Sequence, residues 1–209
     1  MQLFYLKKQI TMANYIQRHI RLENNSVFAE GKEIFSIDKD EEFKVFAKSV
    51  YKNYEIKYGK FYKMDALSKL GFLASELLLK DFNKDDILPE QIAIICANTS
   101  ASLHTDVKYQ NTLKEIPSPA LFVYTLPNIV LGEISIRNMI RGESLFLVQD
   151  KFDADFMAEY VDDIFENTNT ELCITGWLEI SANEEYKANL FLVSKQESNT
   201  KFKATELKN

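Results

Sequence analysis

Cys96 and His104 are the residues of this chain that could do covalent chemistry. A thiol at a strand end with an imidazole eight positions on can form a thiolate pair, the core of a small thioester or acyl-transfer enzyme. Cys96 also lies inside the apolar run Gln91–Ala97, where a small buried residue is the better reading. Cys173 sits in a second apolar run and reads as core. Acids cluster at Asp150, Asp153, Asp155, Asp162 and Asp163, and paired carboxylates can bind a metal. Asp150 and Asp153 stand where a helix begins, which favours negative charge, and Asp162 and Asp163 fall on its outer side. A solvated face is therefore expected rather than a metal site. Two His and two Cys, far apart, leave little material for zinc. Dinucleotide, P-loop, nucleophile-elbow and metalloprotease motifs do not occur, so no cofactor is expected.

The elements that would carry these residues alternate in type. Tyr15–Leu22 and Val27–Ala29, separated by Asn-Asn-Ser, read as an edge hairpin. Within Asp38–Tyr54, Phe43, Phe46, Ala47, Val50 and Tyr54 form one helical stripe, with Asp38 or Asp40 as a cap. Met64–Leu79 is a second helix, and its small Gly71 and Ala74 imply close approach to another backbone. Gln91–Ala97 is apolar throughout, as expected of a strand covered on both faces. A polar stretch runs to Leu113, and Pro127 opens a helix from about Asn128 to Ile140. Leu145–Gln149 reads as a strand, Asp153–Phe165 as a helix, and Glu171–Ile180 and Ala188–Ser194 as a closely joined strand pair. The tight joint makes that pair antiparallel and the sheet mixed. Buried strands alternating with amphipathic helices argue for a layered α/β fold.

The chain has 209 residues, a net charge of −6 and 46% hydrophobic residues. That suits a single domain with a full core. The acidic balance speaks against a nucleic-acid partner, no apolar run is long enough for a membrane span, and two Cys suit a reducing cytoplasm. Residues 1–14 read as an N-terminal extension, with Met12 an alternative start, residues 15–195 as the domain, and 196–209 as a polar, frayed tail.

The most distinctive stretch is Ser118-Pro119, then Leu126-Pro127-Asn128, Gly132 and Arg141-Gly142-Glu143. Upstream stands Phe61-Tyr62-Lys63-Met64-Asp65, and downstream Ile174-Thr175-Gly176-Trp177-Leu178-Glu179. In order and spacing these segments resemble the β-ketoacyl synthases, the condensing enzymes of fatty-acid and polyketide synthesis. The resemblance covers about residues 60–180, the N-terminal half of that family's duplicated fold. It implies a thiolase-like half: a five-stranded mixed sheet with helices on both faces.

The departures carry the functional expectation. The family places a nucleophilic Cys just after the strand that follows its Arg-Gly-Pro. Here that turn holds Gln149, Asp150 and Lys151, and no Cys lies within twenty residues. Condensation through a thioester needs a thiolate. The two His of the family's second half also have no counterpart, since His19 and His104 both lie upstream. The resemblance thus implies a catalytically disabled accessory subunit in type II fatty-acid, polyketide or aryl-polyene synthesis. It would self-associate or pair with a full-length ketosynthase, with Phe146 and Val148 at the interface, and meet an acyl carrier protein. The other readings are an enzyme using Cys96 with His104 and a module that binds an acyl chain or carrier protein. Both Met64–Leu79 and Asp153–Phe165 are expected to carry apolar faces needing cover beyond the sheet.

Overall fold

The computed structural model describes residues 13–114 and 116–208. The extension at residues 1–12, and Met12 as a start, lie outside the described residues. One mixed sheet runs through the molecule in the order β3-β2-β1-β7-β6-β4-β5. Its strands are β1 (Tyr15–Glu23), β2 (Ser26–Ala29), β3 (Lys32–Ser36), β4 (Ile92–Asn98), β5 (Ser144–Val148), β6 (Leu172–Ile180) and β7 (Tyr186–Ser194). A short β8 (Thr200–Lys201) pairs with the start of β1. The described sheet therefore has eight strands, not five. The hairpin grows into a meander through β3, whose exposed residues show no buried alternation to read. Its first strand is internal, between β2 and β7. The mixed character is as expected: β4 is parallel to β5 and β6, and β6 is antiparallel to β7.

Helices cover both faces. On one side lie α1 (Phe43–Asn53), α2 (Ala66–Leu79) and α5 (Ile129–Asn138). On the other lie α6 (Ala154–Asn167) and α7 (Ala204–Leu207). Strand alternation divides β4 between the two cores, Ile94 and Cys96 facing α2 while Ala93, Ile95 and Ala97 face α6. A fully buried Leu, Ile or Phe stabilises such a core by about 1.5–3 kcal/mol.

Glycine permits the α2–α5 approach. A Cβ on Gly71 would stand 2.4 Å from Val130 Cγ2, so the two helices meet where a side chain is missing. α1 begins at Phe43, with Glu42 rather than Asp38 or Asp40 at its cap position and no side-chain cap bond. The stretch read as polar contains α3 (Leu103–Thr112), followed by α4 (Pro119–Val123), which opens on a proline.

Two expectations about packing change. α2 is buried on several sides within the chain, by α1, α5 and the sheet, so it leaves no apolar face to cover. α6 turns Ala154, Met157, Val161 and Ile164 inward, while Asp155, Glu159, Asp163 and Glu166 are exposed. Its outer face is acidic, with Phe156 and Tyr160 stacked at 5.8 Å as the apolar remnant. Asp162 is half-buried and accepts from Asn14 Nδ2 at 2.6 Å, so it is not a solvated outer acid. Burial raises its pKa, and the Asn14 bond opposes that rise.

The segment 196–209 is not a frayed tail over its described part. Tyr15 pairs with Lys201 and Ile16 with Thr200, and Phe202 and Leu207 are buried in the α6-side core. Two apolar residues among polar ones give no periodicity to read, but they cap a core that α6 alone leaves open.

Candidate functional site

The parallel strands β4, β5 and β6 end together, and their C-terminal ends form the site. Crevices outside such ends are the usual ligand positions of α/β sheets. β5 stops at Val148, and the turn Gln149-Asp150-Lys151 leads into α6. Gln149 N donates to Asn98 O at 2.8 Å, extending the β4–β5 ladder by one bond. Thr99 Oγ1 donates to Asp150 O at 3.3 Å. Asp153 caps α6 by accepting from Phe156 N at 3.0 Å, satisfying one of the first-turn amides. The expected strand–turn–helix is thus present, with the helix starting at Ala154.

The neighbouring turn after β4 is held from two sides. Asn98, wholly buried, donates through Nδ2 to Ala101 O at 2.8 Å and accepts from Ala101 N at 2.9 Å. Ala101 itself has φ +49°, a left-handed conformation that those two bonds fix. Glu179 reaches across from β6, its Oε2 accepting from Thr99 N at 2.6 Å and Ser100 N at 3.3 Å. Glu179 Oε1 and Gln149 Oε1 are shielded from solvent without a hydrogen-bond partner. A cleft of about 450 Å³ opens beside this turn, walled by Phe152 and Trp177 and edged by Thr99, Asp150, Lys151 and Lys187. The arrangement offers hydrogen-bonding and charged groups around an aromatic wall. Its turn carries no thiol.

Both thiols lie elsewhere. Cys96 and Cys173 are free and wholly buried, in β4 and β6. Burial pushes both thiol pKa values up, which disfavours the nucleophilic thiolate. His104 is not a base for Cys96: its Nε2 lies 3.1 Å from Glu184 Oε1. That glutamate sits in the β6–β7 turn, eighty positions away. The hydrogen bond from His104, with help from Lys108, holds the Glu184 carboxyl below its usual range despite some burial.

The remaining motif residues divide by role. Met64 is buried, and Asp65 caps α2 through Ser68 N at 2.9 Å while accepting from Thr105 Oγ1 at 2.6 Å. Leu126 is exposed; its carbonyl accepts from Ile129 N, turning the chain at Pro127-Asn128 into α5. Asn128 makes no side-chain cap bond. A Cβ on Gly132 would meet nothing within 4 Å, so packing does not require this glycine. On Gly142 it would lie 2.6 Å from Ile92 O, and on Gly176, with φ +144°, 2.0 Å from Asn189 O. Those two glycines let β5 and β6 seat against their neighbours.

β5 forms one edge of the sheet, paired only with β4 among the described residues. Phe146 is half-buried against the α2-side core, and Val148 is 55% exposed at the strand end. An edge strand with apolar side chains invites pairing. Among the described residues no helix is long and apolar enough to cross a membrane.

No protein-family profile and no curated protein matches the chain. Solved structures do. A chain of the ishigamide ketosynthase/chain length factor matches with a TM-score of 0.64 at 15% identity, over 90% of this chain and 64% of its own. A chain of the ketosynthase ApeO in complex with its chain length factor ApeC, from Xenorhabdus doucetiae, gives 0.56 at 13% identity, over 90% of this chain and 80% of its own. A chain from the complex AntDE:AntF, a type II polyketide synthase acyl-carrier protein with its ketosynthase bound to the hexaketide, gives 0.58 at 12%, over 88% and 62%. The fold is therefore thiolase-like, as in ketosynthases. The chain spans less than two thirds of the length of the first and last of these matched chains.

Proposed function

We propose that this protein is a catalytically disabled ketosynthase-like accessory subunit that pairs with a full-length ketosynthase. Its pathway would be a cytoplasmic type II polyketide, fatty-acid or aryl-polyene synthesis that uses an acyl carrier protein. One observation carries the reading: the strand–turn–helix that would present the nucleophile is intact, yet it presents Gln149, Asp150 and Lys151. None of these can form the thioester on which condensation depends. The β5 edge beside that turn, unpaired on its outer side among the described residues, supplies a place for a partner strand, and two of the similar structures contain ketosynthases together with chain length factors. The enzyme reading through Cys96 loses its support, because that thiol is buried and His104 is bonded to Glu184.

The test is co-expression with a full-length type II ketosynthase. A stable complex is expected on gel filtration with light scattering. Val148→Asp, at an exposed position, should weaken it by at least roughly tenfold while leaving the fold intact, since a buried unpaired charge is costly. Incubation with acylated carrier protein should acylate the partner and leave this chain unmodified by mass spectrometry. Acylation of this chain would overturn the disabled reading, and failure to recover a complex would overturn the partner role.

A further inference from the structure

We propose that the segment of residues 3–10 docks on the outer face of α6. Asp155, Glu159, Asp163 and Glu166 are exposed along that face. Among the described residues the one cation paired with them is Lys208, whose ammonium lies 3.3 Å from Asp155, both side chains being exposed. Such a pair neutralises little. Asp155, Glu159 and Asp163 follow one another at intervals of four, where like charges on a helix repel, so a basic cover stabilises the helix. At 3.6 residues per turn the four acids fall between Asp162 on one flank and the stacked Phe156–Tyr160 pair on the other. Phe156 is 41% exposed. The face therefore asks for cations next to the Asp162 flank and apolar side chains beyond them.

The chain itself carries that sequence of groups. Residues 1–12 lie outside the described residues, and the first described ones stand at the Asp162 flank. Asn14 is buried there, its Nδ2 donating to Asp162 Oδ1 at 2.6 Å and its carbonyl accepting from Phe202 N at 2.8 Å. The twelve residues before Ala13 contain Lys7 and Lys8, no acid, and the apolar run Leu3, Phe4, Tyr5 and Leu6. Counted back from the Asn14 anchor, the lysines come first and the apolar run second. Across α6 from the same anchor, the acids come first and the aromatic pair second. Lys8 is six positions from Asn14 and Phe4 ten, reaches of up to about 20 and 33 Å for extended chain. A helix with its side chains is about 10–12 Å across, so both groups reach with slack. Exposed ion pairs are individually weak. A tether this short holds the segment at an effective concentration on the order of millimolar, so a few such pairs and one apolar contact suffice. A separate basic partner lacks that advantage, which makes the chain's own segment the occupant.

A spin label on the full chain tests this. Gln2→Cys adds a thiol to a protein whose own two are wholly buried, so a nitroxide reagent marks residue 2. At low salt the label should broaden the amide signals of α6 well beyond those of α1, on the other side of the sheet. Lys7→Glu with Lys8→Glu should cut that broadening by roughly threefold or more, as should Glu159→Lys with Asp163→Lys at two exposed positions. Salt at about 1 M should act likewise, since the Debye length falls to about 3 Å. Combining the two charge reversals should restore the broadening, which loss of fold could not do. The proposal is overturned if α6 is broadened no more than α1, or if neither charge reversal changes the broadening. It is also overturned if the effect persists between spin-labelled chains and separate isotope-enriched ones, because a second copy then supplies the segment.

Discussion

Glycine shows most clearly how single positions of the recognisable motifs differ in kind. Gly132, Gly142 and Gly176 all belong to the stretch that resembles ketosynthases, yet only the last two are sterically required. Gly176→Ala must push against the backbone carbonyl of Asn189 at a φ that other residues rarely adopt. It should cost about 3 kcal/mol or more. Gly132→Ala sits exposed within α5, where Ala is the better helix former, and should stabilise by about 0.5–1 kcal/mol. Urea unfolding of the two variants checks both signs; equal effects would mean that local backbone geometry is not what these glycines serve. The spacing of motif residues was legible in the sequence. Which glycine meets a backbone was not, because the carbonyl it meets belongs to a strand thirteen residues away for Gly176 and fifty away for Gly142.

β4 is the element on which the sequence reading and the structure agree best. Its unbroken apolar run announces a strand covered twice, and all seven residues of Ile92–Asn98 are buried. The same burial removes Cys96 from chemistry. Cys96 faces the α2-side core and Cys173 the α6-side core, so neither thiol reaches solvent without large-scale opening. Iodoacetamide at neutral pH should label the native protein at least roughly a hundredfold more slowly than the urea-unfolded chain. Rapid stoichiometric labelling of native Cys96 would show that the strand is not closed. α6 is the element where the reading fell short. Its inward stripe was visible, but the outward acids Asp155, Glu159, Asp163 and Glu166 make an exposed face rather than one that requires cover. The proposed pairing therefore rests on the β5 edge and not on this helix.

At the scale of the whole molecule, the C-terminal segment closes the fold. Phe202 and Leu207 bury against the core beneath α6, and β8 joins the start of β1. A chain ending at Lys195 loses both side chains and that pairing. At about 1.5–3 kcal/mol for each buried side chain, it should be less stable by roughly 3–6 kcal/mol, an upper range because the unfolded chain is itself partly collapsed. Denaturant midpoints of the full and shortened chains test this. An unchanged midpoint would return the segment to the status of a tail.

Periodicity and turn residues determined the longer strands and helices, the antiparallel β6–β7 pair and the strand–turn–helix at Gln149-Asp150-Lys151, because each depends on neighbours within a few positions; β3, α3, α4, β8 and α7 carry no such pattern. The lack of a thiol at that turn was likewise plain from the sequence. Tertiary structure alone decided the partners of the polar side chains. His104 met Glu184 instead of Cys96, Glu179 took the amides of Thr99 and Ser100, and Asp65 took the hydroxyl of Thr105. These pairings join residues 40 to 80 positions apart, and no local pattern encodes them. They follow from which strands lie side by side and which turns are brought to the same end of the sheet.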